Sequence, residues 1–198
     1  MSHKNSFESE NCSASGEEEI NTEAENKEDS PQSKIPNNKL IKAIAITLTS
    51  ILDQNKNLEN YKEILKSQSR AVFSANIIPN ISVKDYLERI QTYSNVEKST
   101  LIISLIYIDS LCNKAKVTLT YYNIHRILFS AILLSIKFNE DSFYDNKYYS
   151  QIAGVKLKEL KTLEYNFIKM LNCELYVSKE LYDKYQIYLD NFNFDENN

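Results

Sequence analysis

The stretch that most limits how this chain can fold runs from Tyr121 to Leu171, two long apolar-periodic segments joined by a tyrosine-rich connection. In the first, Ile124, Leu128, Ala131, Ile132, Ser135 and Phe138 fall at helical spacing, while Leu133, Leu134 and Ile136 fill a second face. A helix that is apolar on most sides must be surrounded by other helices, so this one is expected at the centre. The second places Leu157, Leu160, Leu163 or Glu164, Phe167 and Leu171 three or four apart, which gives one buried stripe on an amphipathic helix. Gly154 offers a backbone free to take positive φ just before it, and Asp145 with Asn146 can cap a short helix in the connection. Lys137 closes the first segment and Glu164 sits inside the second, two charges on otherwise apolar elements.

The flanks are also helical. Ile41, Ile44, Ala45, Leu48 and Leu52 share one face of a helix over residues 40–52, and a shorter turn is expected over 58–65. Ile77-Ile78-Pro79 breaks the chain. Ser82 followed by Asp85 has the form of a capping box, opening a helix that buries Val83, Tyr86, Leu87 and Ile90. Residues 96–113 form the next helix, apolar nearly all round from Leu101 to Ile108 and then interrupted by Asp109. A carboxylate in such surroundings needs a partner, unless it points to solvent at the helix end. Arg89 is the first candidate for a structural ion pair with Asp109, and Arg126 the second. After Asn172 only 26 residues remain, enough for one helix over 178–190 with Ser178 as N-cap and Leu181, Tyr185, Tyr188 and Leu189 on its apolar side.

Charge and composition exclude several function classes. Residues 1–38 carry Lys4, Lys27 and Lys34 against nine acids, a net of −6, so the formal −4 of the whole chain leaves the remaining 160 residues at +2. The acidic N-terminal segment has too little apolar surface to offset the entropy of ordering and is expected to be disordered; Ser30-Pro31 within it reads better as inert linker than as a phosphorylation site. A body near neutrality without a Lys/Arg cluster argues against nucleic acid as a partner. The longest uncharged apolar runs, residues 43–52, 99–108 and 127–136, are ten long, half of the roughly 20 needed to span a bilayer. With no apolar core of a signal peptide at the N-terminus, the chain reads as nuclear or cytoplasmic, without a membrane partner. Cys12, Cys112 and Cys173 form no pair at metal-ligand spacing, so no metal is expected, and Cys112 and Cys173 read as small buried hydrophobes. Two glycines, Gly16 and Gly154, rule out a glycine-rich phosphate-cradling loop, and two histidines, His3 and His125, offer no nucleophilic triad. Glu140 and Asp141 read as a solvated helix end rather than an acid/base pair. No catalytic residue and no cofactor are assigned.

The wording of the central stretch narrows the reading further. His125-Arg126, Lys137-Phe138, Asp141, Asn146, Tyr148-Tyr149, Ala153-Gly154, Glu159-Leu160, Leu163-Glu164 and Phe167 follow one another as in the P/U-type cyclins, the phosphate-pathway cyclins of fungi and their plant relatives. Ile81-Ser82-Val83, Asp85-Tyr86-Leu87-Glu88-Arg89-Ile90, Tyr93 and Tyr107-Ile108-Asp109 match the lead-in, so the chain resembles that family from about Ile81 to Tyr185.

The resemblance implies an all-α chain with a single five-helix cyclin box over 81–176, preceded by the N-terminal segment (1–38) and a helical extension (39–80) and followed by a C-terminal helix and polar end (177–198). It implies no enzyme but a regulatory subunit that binds a cyclin-dependent protein kinase as a heterodimer and activates it by fixing the kinase αC helix inward. Lys137 and Glu164 would hold the kinase segment, with Phe138, Ile168 and Leu175 as apolar contacts and Glu140 as a further one. The Arg89–Asp109 contact would likewise join the first two box helices. A cyclin-fold adaptor, or a binding protein that does not activate its kinase, is the alternative. Two positions depart from the family pattern: Ala153-Gly154 stands where Gly-Gly is usual, and Lys161 stands where Asn is usual, three residues from Glu164 and able to pair with it.

Overall fold

The structure, a computed structural model, describes residues 38–192. Eight helices and no strand occur among them: α1 (Asn38–Lys56), α2 (Tyr61–Gln68), α3 (Val83–Ser94), α4 (Lys98–Ala115), α5 (Ile124–Asn139), α6 (Asn146–Ala153), α7 (Leu157–Met170) and α8 (Lys179–Asp190). The acidic segment with Cys12 and Ser30-Pro31 lies outside the described residues, apart from Asn38, which opens α1.

α5 is the axis of the fold. Every residue from Ile127 to Ile136 is buried, as are Ile124 and His125, because α3, α4, α6 and α7 pack around it. Polar side chains on this helix survive burial by bonding to backbone: the Ser130 hydroxyl donates to the Arg126 carbonyl (2.7 Å) and the Ser135 hydroxyl crosses to the Thr100 carbonyl of α4 (3.0 Å). The small serines also let α4 approach closely, and α4 is itself buried without a break from Thr100 to Ile108. Of the expected stripe, Leu160, Leu163, Phe167 and Leu171 are each at most 2% exposed, which assigns Leu163 rather than Glu164 to the core, whereas Leu157, the first residue of α7, is exposed.

Helix ends follow the local chemistry. The Ser82 hydroxyl accepts from the Asp85 N–H (3.0 Å) and donates to the Asp85 carboxylate (2.7 Å). Asp145 caps α6 through the Tyr148 N–H (2.8 Å), and Ser178 caps α8 through the Leu181 N–H (3.3 Å). Gly154 ends α6 at φ 70°, in the left-handed region that glycine enters freely.

Three expectations need correction. α2 begins three residues later than its apolar residues suggested, because Leu58 falls in an exposed turn, and none of its residues is fully buried. On α8 only Leu189 is buried, while Leu181 and Tyr188 are exposed, since the helix meets the body only along α1 and α4. Neither cysteine is a buried hydrophobe: Cys112 is half-buried, and Cys173 is exposed at φ 60° in the turn that leaves α7.

His125 couples this packing to pH. Its Nε2 lies 2.9 Å from the Ile81 carbonyl and therefore carries the proton, which leaves Nδ1 buried with no partner. Burial pushes its pKa below the ordinary histidine value, because a second proton on Nδ1 would find no acceptor. The unfolded chain then takes up a proton before the folded chain does. Stability is full above about pH 6.5 and declines as pH falls through that value. Chemical denaturation of the wild type is expected to show this decline and His125→Gln to show less of it. In the same assay Leu128→Ala, at the fully buried centre of α5, is expected to cost about 2–5 kcal/mol.

Candidate functional site

Lys137 lies in the last turn of α5, where a cation is favoured by the unpaired carbonyls of the helix end. Glu164 lies in the middle of α7, on the flank of the buried Leu160–Leu163–Phe167 stripe. The α5–α7 packing brings the two together, with Lys137 Nζ 2.5 Å from Glu164 Oε1. Their side chains are 23% and 15% exposed, so the pair is largely withdrawn from water while one edge still reaches the surface. The other carboxylate oxygen, Oε2, accepts from Asn146 Nδ2 at 3.0 Å. Glu164 is thus held by α5 on one side and by the first residue of α6 on the other.

Asn146 stood out in the sequence as a helix-start residue and as part of the family resemblance, not as a partner of Glu164. That its amide would reach an acid 18 positions along follows from the short α6–α7 connection, in which Gly154 folds α7 back past the start of α6. Lys161 does not compete for the carboxylate. Glu164 meets Lys137 and Asn146, and among the described residues no ion pair joins it to Lys161.

Of the other residues assigned to the site, Phe138 follows Lys137 and is 55% exposed, a large apolar ring facing water at the end of α5. Ile168, one turn beyond Glu164 on the same side of α7, is half-buried against the core. Leu175, also half-buried, lies in the segment after α7, where its carbonyl accepts from the Tyr107 hydroxyl (2.8 Å). Glu140 is committed elsewhere, its carboxylate accepting from the Glu97 N–H (3.2 Å) at the start of α4.

The Arg89–Asp109 ion pair does not form. α3 packs against α1, α5 and α6, whereas α4 packs against α5, α7 and α8, so the two side chains meet different neighbours. Arg89 donates to the Gln151 carbonyl of α6 (2.9 Å), and Asp109 accepts from the Tyr185 hydroxyl of α8 (2.8 Å). Arg126, the second candidate, pairs instead with Glu159 of α7 (2.5 Å) and donates to the Ser74 carbonyl. His125-Arg126 and Glu159-Leu160 both stood out in the sequence, but their spacing carried no sign that they would meet.

Lys137 and Glu164 retain capacity for a further partner. An ammonium has three protons and a carboxylate about four lone-pair directions, and the described contacts use one of the former and two of the latter. A double-mutant cycle in urea is expected to give a Lys137–Glu164 coupling of about 1–3 kcal/mol and a Lys161–Glu164 coupling below about 0.5 kcal/mol.

Comparison with known proteins places this geometry. The Cyclin family model matches residues 10–175. The chain is 28% identical over 159 residues to Cyclin-U4-1 of Arabidopsis thaliana, covering 79% of each protein. It is 31% identical over 150 residues to Cyclin-U3-1 of the same plant, covering 75% of this chain and 68% of that one. To PHO85 cyclin-7 of Saccharomyces cerevisiae it is 29% identical over 169 residues, covering 76% of this chain but only 59% of the yeast protein. The chain belongs to the cyclin family, in its P/U type.

Proposed function

We propose that this chain is the regulatory subunit of a cyclin-dependent protein kinase, which it binds as a heterodimer and activates without catalysis of its own, in the nucleus, the cytoplasm or both. The observation that carries the reading is the Lys137–Glu164 pair, preformed across α5 and α7 at 2.5 Å, one edge open, with the exposed ring of Phe138 beside Lys137. Directed polar groups beside apolar surface are how a specific interface is commonly built. Ile168 and Leu175 border the same helix ends as half-buried contacts. Glu140 contributes less, because its carboxylate caps α4.

The mechanism is positional. A kinase is active when the glutamate of its αC helix pairs with the lysine that holds the ATP phosphates. A subunit that grips the segment around αC only when that helix is turned inward shifts the equilibrium toward the active state by the difference in its affinity for the two states. A site held rigid before binding suits this role, since little ordering entropy remains to be lost on association.

The test is affinity purification of the tagged protein from its own cells beside a Lys137→Glu/Glu164→Lys exchange variant. The exchange preserves an ion pair between α5 and α7 while reversing the charges a partner meets. A cyclin-dependent kinase is expected to co-purify with the wild type, to phosphorylate substrate, and to be lost from the folded variant. A kinase that co-purifies but stays inactive would identify a sequestering protein instead. If no kinase co-purifies, or the variant retains it fully, the docking mechanism fails and an adaptor role replaces it.

A further inference from the structure

Away from the Lys137–Glu164 pair, α1, α4 and α8 leave a cavity of about 410 Å³ between them, within the usual size of small-molecule sites, about 300–1,000 Å³. Its wall is mainly apolar, with Leu48 and Ile51 from α1, Leu105 and Ile108 from α4, and Leu119 from the turn that follows. None of these residues belongs to α5 or α7, so the cavity is built independently of the candidate kinase site.

Polar groups interrupt that wall, Asp109, Cys112, Tyr185 and Thr47 among them. Asp109 is an exposed carboxylate at the rim of the cavity, next along a helix whose residues from Thr100 to Ile108 are all buried. Its contact is the Tyr185 hydroxyl at 2.8 Å, and no lysine, arginine or histidine pairs with it among the described residues. Burial and the hydrogen bond to Asp109 push the Tyr185 pKa up, so the phenol remains a donor and adds no second charge. Burial and the nearby Asp109 likewise push the Cys112 thiol up to about 11, which leaves it uncharged. Thr47 borders the cavity from α1, its hydroxyl sealed from water with no hydrogen-bond partner.

An apolar chamber with one carboxylate uncompensated by a cation selects its ligand by charge. An anion would be repelled, and a neutral apolar molecule lying over the rim would strip water from the exposed carboxylate without supplying a counter-charge. We propose that the cavity between α1, α4 and α8 binds a small molecule with an apolar body and a protonated amine head, the ammonium on Asp109 and the hydrocarbon against Leu48, Ile51 and Leu105. A charge-assisted hydrogen bond of this kind contributes enough to separate the amine from a neutral analogue by about tenfold or more.

The test titrates 4-phenylbutylamine and, separately, 4-phenylbutan-1-ol into the full chain, following side-chain methyl resonances by NMR and affinity by calorimetry. Saturable amine binding is expected, about tenfold tighter than the alcohol, with shifts confined to methyls of the cavity wall. Asp109→Asn, which can still accept from Tyr185, is expected to reduce the amine to the level of the alcohol. Tyr185→Phe is expected to retain the preference for amine, which guards against a loss caused only by disturbing α8, and Ile51→Trp is expected to fill the chamber and abolish both. No saturation at millimolar ligand, equal binding of amine and alcohol, or unchanged amine binding in Asp109→Asn would overturn the proposal. So would self-association of the wild type in sedimentation that Ile51→Trp removes, since a second copy of the chain would then be the occupant.

Discussion

The burial of α5 on every side is the constraint from which the rest of the structure follows. Burying one large aliphatic or aromatic side chain contributes about 1.5–3 kcal/mol, and this helix buries most of its length at once. A helix so placed has no face left for water, so its neighbours must supply both apolar cover and acceptors for its few polar atoms. α4 does both, covering one side with its own apolar surface and accepting the Ser135 hydroxyl at the Thr100 carbonyl. Only the ends of α5 reach solvent. Charged residues are therefore confined to Arg126 in its first turn and Lys137 in its last.

Those two cations become the polar joints between α5 and α7. Arg126 meets Glu159 near the start of α7, and Lys137 meets Glu164 farther along it. With the apolar stripe of α7 beside them, the two pairs fix the register of one helix against the other, since a slide by one turn would break both. Asn146 extends the second joint to α6. The same contacts that hold α5 to α7 keep the Lys137–Glu164 pair in place while one edge of it still reaches the surface.

The flanking helices contribute differently. α1 buries a full apolar face against α3 and α8, but α8 returns only one fully buried residue, Leu189. Its attachment depends on peripheral polar contacts: Tyr185 to Asp109, and Lys98 of α4 to the Asp190 carboxylate at 2.9 Å. Exposed pairs of the latter kind add little, about 0–1 kcal/mol. Incomplete closure by α8 leaves the apolar cavity beside Asp109.

The sequence by itself determined the all-α class, the central place of α5, the buried face of α7 and the caps at Ser82, Asp145 and Ser178. Each of these depends on spacing along one helix or on bonds within a single turn, and local chemistry is written in consecutive residues. Lys137 and Glu164 stood out as charges on apolar helices, the resemblance set them side by side, and they meet at 2.5 Å. What only the tertiary structure decided was which distant polar groups meet. Asp109, on an otherwise apolar stretch, was expected to pair with Arg89, yet it stands exposed and accepts from Tyr185, because α4 packs against α8 and scarcely against α3. Arg126 with Glu159, and Asn146 with Glu164, were settled in the same way. Such pairings depend on helix rotation and crossing, which the hydrophobic pattern constrains only to a face, whereas a hydrogen bond requires placement to within a fraction of an ångström.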